Sequence, residues 1–362
     1  MIFLADLPPP IHGMSNVNLD IYEVFCNHGC TVKLLNTAPS KKAKYFRSKL
    51  WPILKGVQSI TSLVKVFYLL FTNQHNCIYR PINGGKGQIY DIAYLAIAKI
   101  FKAKIFIHHH ATSYITNESL LFKILLKTSG AETTHIVLGQ SMANALTLRF
   151  SVPSQKIVTL SNCYFFESCP PQSTPLSDST LAIGHLSNLC IDKGIDTFAL
   201  LCRELDQLNI SFTAKIAGPF ADKHAEKIVT DLCKDLPCIN YLGPLYGEAK
   251  VHFFHNLDIF ILPSINEAEP LVLYEAAQHG AFLIGGTVGC MKDVIESLGG
   301  FSSTLENQKK WVCQTAKLIS AEHNSISCTE TRTDRLSKLQ ELITAAQENM
   351  QHILKALKNA EA

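Results

Sequence analysis

Two glutamates, Glu267 and Glu275, stand with seven residues between them, and each sits where it could do chemistry. Pro270 follows the first closely and Gly280 closes the run. Proline suits the first turn of a helix and glycine the position just past its end, so the spacing predicts a helix over about 270–279. The amides that open this helix, around Leu271 and Val272, have no carbonyl of their own helix to bond and make a ready anion site. Glu267 stands just before that end and Glu275 more than a turn inside. A carboxylate beside an anion site makes sense for a ligand that carries hydroxyls as well as phosphate. Amides take the phosphate and carboxylates take the hydroxyls, and a nucleotide sugar has all these parts. A capping acid plus a surface glutamate explains the same residues, and this stretch alone leaves both readings open.

The surrounding elements must position these groups. Short apolar runs alternate with amphipathic stretches, which predicts βαβ units and parallel sheets. In the first half, strands are expected near residues 2–4, 31–35, 77–79, 104–107, 136–138 and 156–160. A helix over about 15–28 lies between the first two, with Ser15 as N-cap and Gly29 just past its end. Residues 166–180 are rich in proline and serine and have no periodicity, which marks a linker. A second series follows, with strands near 181–184, 212–216, 239–242, 258–262 and 282–284. A closing helix over about 335–362 carries Leu336, Leu339, Ile343, Met350, Ile353 and Leu357 on one apolar face. The fold class is therefore α/β, with two Rossmann-like, doubly wound domains. Residues 1–165 form the first and 181–334 the second, and the closing helix has the option of packing back on the first. Ligands of such sheets bind at the C-terminal ends of the strands, and the cleft between two such halves is the default site.

The 362 residues suit two domains. Twelve cysteines are scattered without a CxxC pair, which reads as buried thiols in a reducing cytosol. The first residues run straight into a proline-rich loop, so no secretory signal is expected. The apolar run nearest to membrane length, residues 50–71, is interrupted by Pro52, Lys55, Gly56 and Lys65. It reads as an amphipathic helix, either packed on the core or laid on a membrane surface. Net charge is +3, but residues 1–160 hold 17 Lys+Arg against 6 Asp+Glu, a balance of +11, and the rest balances at −8. The basic half is expected to meet something anionic. No nucleic-acid motif accompanies its lysines, so an anionic membrane surface or a phosphate-bearing acceptor is the better fit and nucleic acid is not expected.

The stretch LPSINEAEPLVLYEAAQHG, residues 262–280, resembles the E-x7-E signature of retaining glycosyltransferases of the GT-B fold, glycosyltransferase family 4 (group 1). Further segments are similar to that family in order and spacing. IGHLSNLCIDKGID (183–196) resembles its strand and loop ending in Lys-Gly, and FTAKIAGPF with INYLGPL resembles its next two strands. DLPPPIHGMSNVN (6–18) resembles the first loop of members found in bacterial surface-polysaccharide pathways. HHHATSY (108–114) stands where the family usually has His-Gly, and LSNC (160–163) where it usually has Pro-Asn-Gly.

The resemblance implies a GT-B fold with a central cleft, an acceptor-binding first domain and a donor-binding second domain. It implies that Glu267 faces the donor sugar and Glu275 holds the ribose hydroxyls. Leu271 and Val272 would offer amides to the diphosphate, and Lys193 would neutralise it as it leaves. Gly13 would let backbone approach the phosphate or the acceptor, and His110 would lie near the donor sugar and the acceptor hydroxyl. The family often has an arginine where this sequence has Asn188, which donates a hydrogen bond without charge, and Gly-Gly where it has His12-Gly13. No metal and no other cofactor is expected, because lysine and helix dipole serve the leaving diphosphate.

Other features have plainer readings. His108, His109 and His110 alternate faces on a strand, so they cannot simply converge on one metal. One active histidine with two packing neighbours is expected. Residues 83–87, NGGKG, lack phosphate-loop spacing and read as a flexible loop. Glu269 reads as a helix-start acid; Arg80 and Lys86 could touch an acceptor but are not counted among the site residues. The overall expectation is a cytoplasmic enzyme, peripheral on the inner face of the membrane, that moves a sugar from a nucleotide-sugar donor to a lipid-linked glycan in surface-polysaccharide assembly. A nucleotide-sugar epimerase or hydrolase, and a non-catalytic nucleotide-sugar-binding scaffold, are the alternatives.

Overall fold

A computed structural model describes the chain except residues 11, 12, 47, 168–179, 327 and 362. The linker expected at 166–180 and His12 therefore fall largely or wholly outside the described residues.

The chain divides into two units. The first comprises Met1–Phe165 and Ala346–Ala362, and the second Phe166–Ala345. In chain order the first unit contains β1 (Ile2–Ala5), α1 (Gly13–Asn27), β2 (Lys33–Asn36), α2 (Trp51–Phe71), β3 (Cys77–Ile82), α3 (Gln88–Ile100) and β4 (Lys104–His109). It continues with α4 (Ser113–Thr116), α5 (Leu120–Ser129), β5 (Thr134–Val137), α6 (Gln140–Phe150) and β6 (Ile157–Thr159). All six strands pair in parallel in the order β2-β1-β3-β4-β5-β6. Parallel strands covered on both faces are apolar along their whole length, and β1 and β3 are buried at every residue.

The second unit contains β7 (Leu181–Leu186), α7 (Ile195–Gln207), β8 (Phe212–Ala217), α8 (Lys223–Asp235), β9 (Ile239–Tyr241), α9 (Gly247–His255) and β10 (Ile259–Leu262). Then come α10 (Leu271–Ala277), β11 (Phe282–Gly285), α11 (Met291–Ser297), β12 (Phe301–Ser302), α12 (Gln308–Ile326) and α13 (Thr329–Glu361). Its parallel sheet has the order β12-β11-β10-β7-β8-β9. The core joins Ile183, Phe198, Leu201, Ile216, Ile261, Ile284 and Trp311, all fully buried. The two doubly wound series are those expected from the alternating pattern. β12, two residues long, was too short to leave a sequence signal.

Helix α13 begins at Thr329, several residues before the expected start. Its first turns belong to the second unit: Arg332 donates to the carbonyl oxygens of Leu257 at 2.8 Å and His279 at 3.0 Å, and Arg335 to that of Gly280 at 2.9 Å. Its last turns belong to the first unit, where Met350, Ile353, Leu354 and Leu357 are buried. There Glu361 pairs with the amino group of Met1 at 3.0 Å.

Three local expectations are corrected. Ser15 is not an N-cap: α1 starts at Gly13, and Ser15 is buried inside it with its hydroxyl donating to the Pro10 carbonyl at 3.0 Å. Residues 50–71 form the expected helix, and the correction concerns only its length: Pro52, Lys55, Gly56 and Lys65 do not cut the apolar run short of membrane length. Pro52 falls in the first turn of α2, where its missing N–H costs nothing, and the helix continues for 21 residues. Among the described residues it is the one helix long and apolar enough, by length and composition, to cross a membrane. Residues 83–87 are an ordered turn, because the Asn83 amide and side chain donate to Asp91 at 2.8 and 2.9 Å.

Candidate active site

In the second unit the chain runs from β7 outward through β8 and β9, then returns with β10 on the other side of β7. That reversal is where a doubly wound sheet opens a crevice at its carboxyl ends. The loop after β7 carries Asn188, which is exposed, and then the turn Ile191–Lys193. The loop after β10 carries Glu267. The two loops are joined: the Ile265 amide and the Ser264 hydroxyl both donate to the Asp192 carbonyl, at 3.0 and 2.9 Å. Across this junction the Lys193 ammonium forms an ion pair with Glu267 and donates to the Asn266 carbonyl at 3.4 Å.

Backbone shape makes the junction possible. Gly194 has φ +78°, and a Cβ there would overlap the Pro263 carbonyl oxygen. Gly289, at φ +62°, leaves room for the carbonyl oxygens of Glu267 and Ala268, and the neighbouring Cys290 amide donates to Ala268 at 2.7 Å. Burial lifts the Glu267 carboxyl above the usual carboxylate range, and the attraction of Lys193 opposes that rise. Behind the β7 loop, the buried His185 contacts the Ile261 carbonyl through Nδ1 at 2.9 Å and the Ser187 hydroxyl through Nε2 at 2.9 Å. A carbonyl only accepts, so Nδ1 carries the proton and the hydroxyl donates to Nε2. Burial holds this imidazole neutral down to about 4.

Helix α10 opens at Leu271 with Pro270 as its N-cap, and Gly280 at φ +72° follows its end. The amides of Leu271 and Val272 are in its first turn, beside the Glu267 loop. Glu275 lies on the same helix, and its Oε1 accepts from Lys250 of α9 at 2.6 Å. Its Oε2 is buried and has no hydrogen-bond partner. Glu269 stands just before the N-cap Pro270, at the helix start as expected, and there it is buried and accepts from the Tyr274 hydroxyl at 2.7 Å.

In the first unit the corresponding reversal lies between β1 and β3. Gly13 opens α1 after β1. Its φ is not positive and a Cβ there meets nothing within 4 Å, so it does not serve an unusual backbone shape in the free protein. Arg80 is not within reach of an acceptor. It is buried and donates to Asp91 at 2.8 Å and to the Leu4 carbonyl at 2.8 Å. Asp6, at the end of β1, pairs with Lys55 and accepts from Thr37. Burial pushes the Asp6 carboxyl up, but Lys55 and Arg80 together hold it below the usual range.

The three histidines leave β4 as alternation requires. His109 points one way, to His135 at 3.0 Å and Tyr114 at 3.2 Å. His108 and His110 lie together with ring centroids 4.0 Å apart, and His108 shares a hydrogen bond of 2.6 Å with Tyr79. The Nε2 atom of His110 is buried without a partner, and burial lowers its pKa to about 4. It is a neutral imidazole with one nitrogen unused. Among the described residues no group of three or more His, Cys, Asp or Glu is placed to hold a metal ion.

Residues 171–335 match the family model described as glycosyl transferases group 1. That segment holds both glutamates, Lys193 and the whole β7–β10 junction, on a chain folded as two Rossmann-like units. The matched segment lies in the second unit, and the chain as a whole has the two parallel six-stranded Rossmann-like sheets of the GT-B fold. No curated protein matches it. Among solved structures, a glycosyltransferase from Rickettsia africae ESF-5 is similar at 13% identity with a TM-score of 0.68, covering 98% of both chains. The lipopolysaccharide outer core galactosyltransferase WaaB is similar at 15% identity and TM-score 0.64, covering 95% of this chain and 99% of its own. Anabaena HepE, solved with UDP, is similar at 13% and 0.63, with 99% of both chains covered. At such identities these three speak for the fold.

In this chain the sequence reading singled out Glu267, Glu275, Lys193, Asn188, Leu271 and Val272 in one unit and His110 and Gly13 in the other. The structure brings Glu267 and Lys193 into contact. Sequence reasoning missed Lys250, His185 and Gly289. A lysine on an exposed helix carries no local signal, and neither does a strand histidine. Gly289 alone stood in a visible turn, Val288-Gly289-Cys290.

Proposed function

We propose that this chain is a glycosyltransferase that takes its sugar from a nucleotide-sugar donor and passes it, with retention at the anomeric carbon, to a hydroxyl of a lipid-linked glycan in surface-polysaccharide assembly. The observation that carries this reading is the Lys193–Glu267 ion pair at the carboxyl ends of β7 and β10, beside the first turn of α10. A cation and open amides meet a carboxylate at one point, as a ligand with both a diphosphate and sugar hydroxyls requires.

In this reading Lys193 and the amides of Leu271 and Val272 take the diphosphate, Asn188 adds an uncharged donor, and Glu267 takes the sugar hydroxyls. Charge grows on the diphosphate as the glycosidic bond breaks. Fixed donors therefore stabilise the transition state more than the ground state. Glu275 takes the ribose hydroxyls through its unpartnered Oε2. His110 offers its unused Nε2 to the donor sugar or acceptor hydroxyl, and Gly13 leaves room for phosphate or acceptor at the start of α1. The leaving phosphate accepts the acceptor's proton, so no metal enters the scheme. The similarity to WaaB, named for lipopolysaccharide outer core, and to HepE, solved with UDP, supports the substrate class. The +11 balance of residues 1–160 supports work at the anionic inner face of a cytoplasmic membrane.

The test is a thermal-shift screen against nucleotide sugars and nucleoside diphosphates, repeated on Glu275→Ala, and then transfer assays with lipid-linked acceptors. The expected result is a shift with one nucleotide family, lost in the variant, and an anomeric configuration kept in the product. Donor turnover without acceptor would instead favour an epimerase or hydrolase. Donor binding without any turnover would favour a scaffold.

A further inference from the structure

Between residues 24 and 90 the sequence holds ten Lys and Arg and no Asp or Glu. Helix α2 lies inside that stretch and is apolar on two faces. The inward face buries Ser59, Ser62, Val66, Leu69 and Leu70. It is tied down by Gln58 Nε2 donating to the Asn36 carbonyl at 2.8 Å and by the Tyr94 hydroxyl donating to the Ser59 carbonyl at 3.0 Å. The outward face carries Ile53, Val57, Ile60, Val64, Phe67 and Phe71, at steps of three and four residues, each 50–65% exposed. A surface helix ordinarily turns charge to solvent on that side. Here the stripe runs the length of the helix, about 30 Å.

Both ends of the stripe extend it. At the C-terminal end the rings of Phe67 and Phe71 stack at 6.0 Å, and Phe101 stands edge-on to Phe67 at 5.3 Å, next to exposed Lys102. At the N-terminal end Trp51 stands edge-on to Phe46 at 5.2 Å. Just before it, Lys41, Lys42, Lys44 and Lys49 are all exposed.

We infer that the outward face of α2, with the lysines ahead of it, docks on an anionic lipid bilayer. The helix lies in the plane of the interface. This deepens the membrane contact proposed above by naming the surface that makes it. Three arguments favour lipid as the occupant. A bilayer presents anionic headgroups directly above an apolar layer, which matches a long apolar stripe in a stretch whose charged residues are all cations. A second copy of the same face would offer the lysines no acidic partner, since residues 24–90 hold no Asp or Glu. A spanning arrangement would strip the inward face from α3, on which it packs, and expose Val66, Leu69 and Leu70.

The test is co-flotation of the full chain with phosphatidylcholine vesicles, with and without phosphatidylglycerol. The wild type is expected to float with the anionic vesicles, less so at high salt. Flotation should fall at least about tenfold both for Ile60→Glu with Val64→Glu and for Lys41→Glu, Lys42→Glu and Lys44→Glu together. Nucleotide-sugar melting shifts in these variants should equal those of the wild type, which separates this surface from the donor site. Equal flotation on neutral vesicles, or variants that float like the wild type, would overturn the inference. So would a wild-type dimer that the Ile60→Glu, Val64→Glu variant splits while no form floats.

Discussion

Lys250 Nζ lies 2.6 Å from Oε1 of Glu275, while Oε2 of the same carboxylate is buried and unpartnered. One oxygen is held by a cation, and in the proposed function the other takes the ribose hydroxyls. Lys250→Met should therefore weaken binding of the nucleotide donor about tenfold, the loss of a charge-assisted positioning bond worth about 1.4 kcal/mol. Turnover at saturating donor should stay within about twofold of the wild type, because the sugar-facing groups are untouched. Calorimetric titration and kcat measurements check the split. A fall in kcat with unchanged donor affinity would contradict it.

The Lys193–Glu267 pair makes a separate prediction. Lys193→Met should reduce kcat by about 100-fold to 1,000-fold, as the loss of one fixed group aimed at developing charge does. It should also move the acid limb of the pH–rate profile. Burial raises the Glu267 pKa and Lys193 opposes the rise, so removing the lysine raises it further. Glu267 then takes up its proton at a higher pH, and activity is lost sooner on acidification. A profile that keeps its acid limb in place would separate Glu267 from the rate-limiting chemistry.

Two glycines should behave in opposite ways. Gly194→Ala meets both a φ of +78° and the Pro263 carbonyl, and should cost at least about 2 kcal/mol in urea denaturation. Gly13→Ala meets empty space, and stability should change by less than about 0.5 kcal/mol. If substrate comes close to that backbone, Gly13→Ala will still lower transfer. Full activity in this variant would remove Gly13 from the binding role.

The histidines of the first unit predict acid sensitivity. His110 and His135 are lowered from 6.5 to about 4, chiefly by burial, and His108 and His109 are lowered well below it. Between those values the unfolded chain binds more protons than the folded one, so stability is full above about pH 6.5 and falls as pH drops toward 4. At pH 5 each of His110 and His135 should cost about 2 kcal/mol relative to pH 7.5. Melting curves across that range check it. His135→Asn, which cannot titrate, should flatten the slope.

Much of this was legible without coordinates. The alternation of short apolar runs with amphipathic stretches specified both parallel sheets, because strand and helix periods are local properties. Pro270 and Gly280 bracketed α10 for the same reason, since their backbone limits act on their own turn. Ser15 misled because serine serves as a cap only when the chain enters the helix there, and here Gly13 begins α1 two residues earlier. Glu269 was placed at the helix start from sequence, but its partner there, Tyr274, was not, because that contact depends on the tyrosine being turned inward.

The sequence by itself determined which residues carry charge, hydroxyl-binding and anion-binding capacity, and at what spacing along one helix. Only tertiary structure decided their partners. Lys193 meets Glu267 across 74 residues because β10 returns to the side of β7, and strand order is not written in either strand. Lys250 meets Glu275 because α9 and α10 flank the same strand. The two apolar faces of α2 read as one hydrophobic helix in sequence. Packing one of them against the rest of the first unit, α3 included, is what left the other exposed.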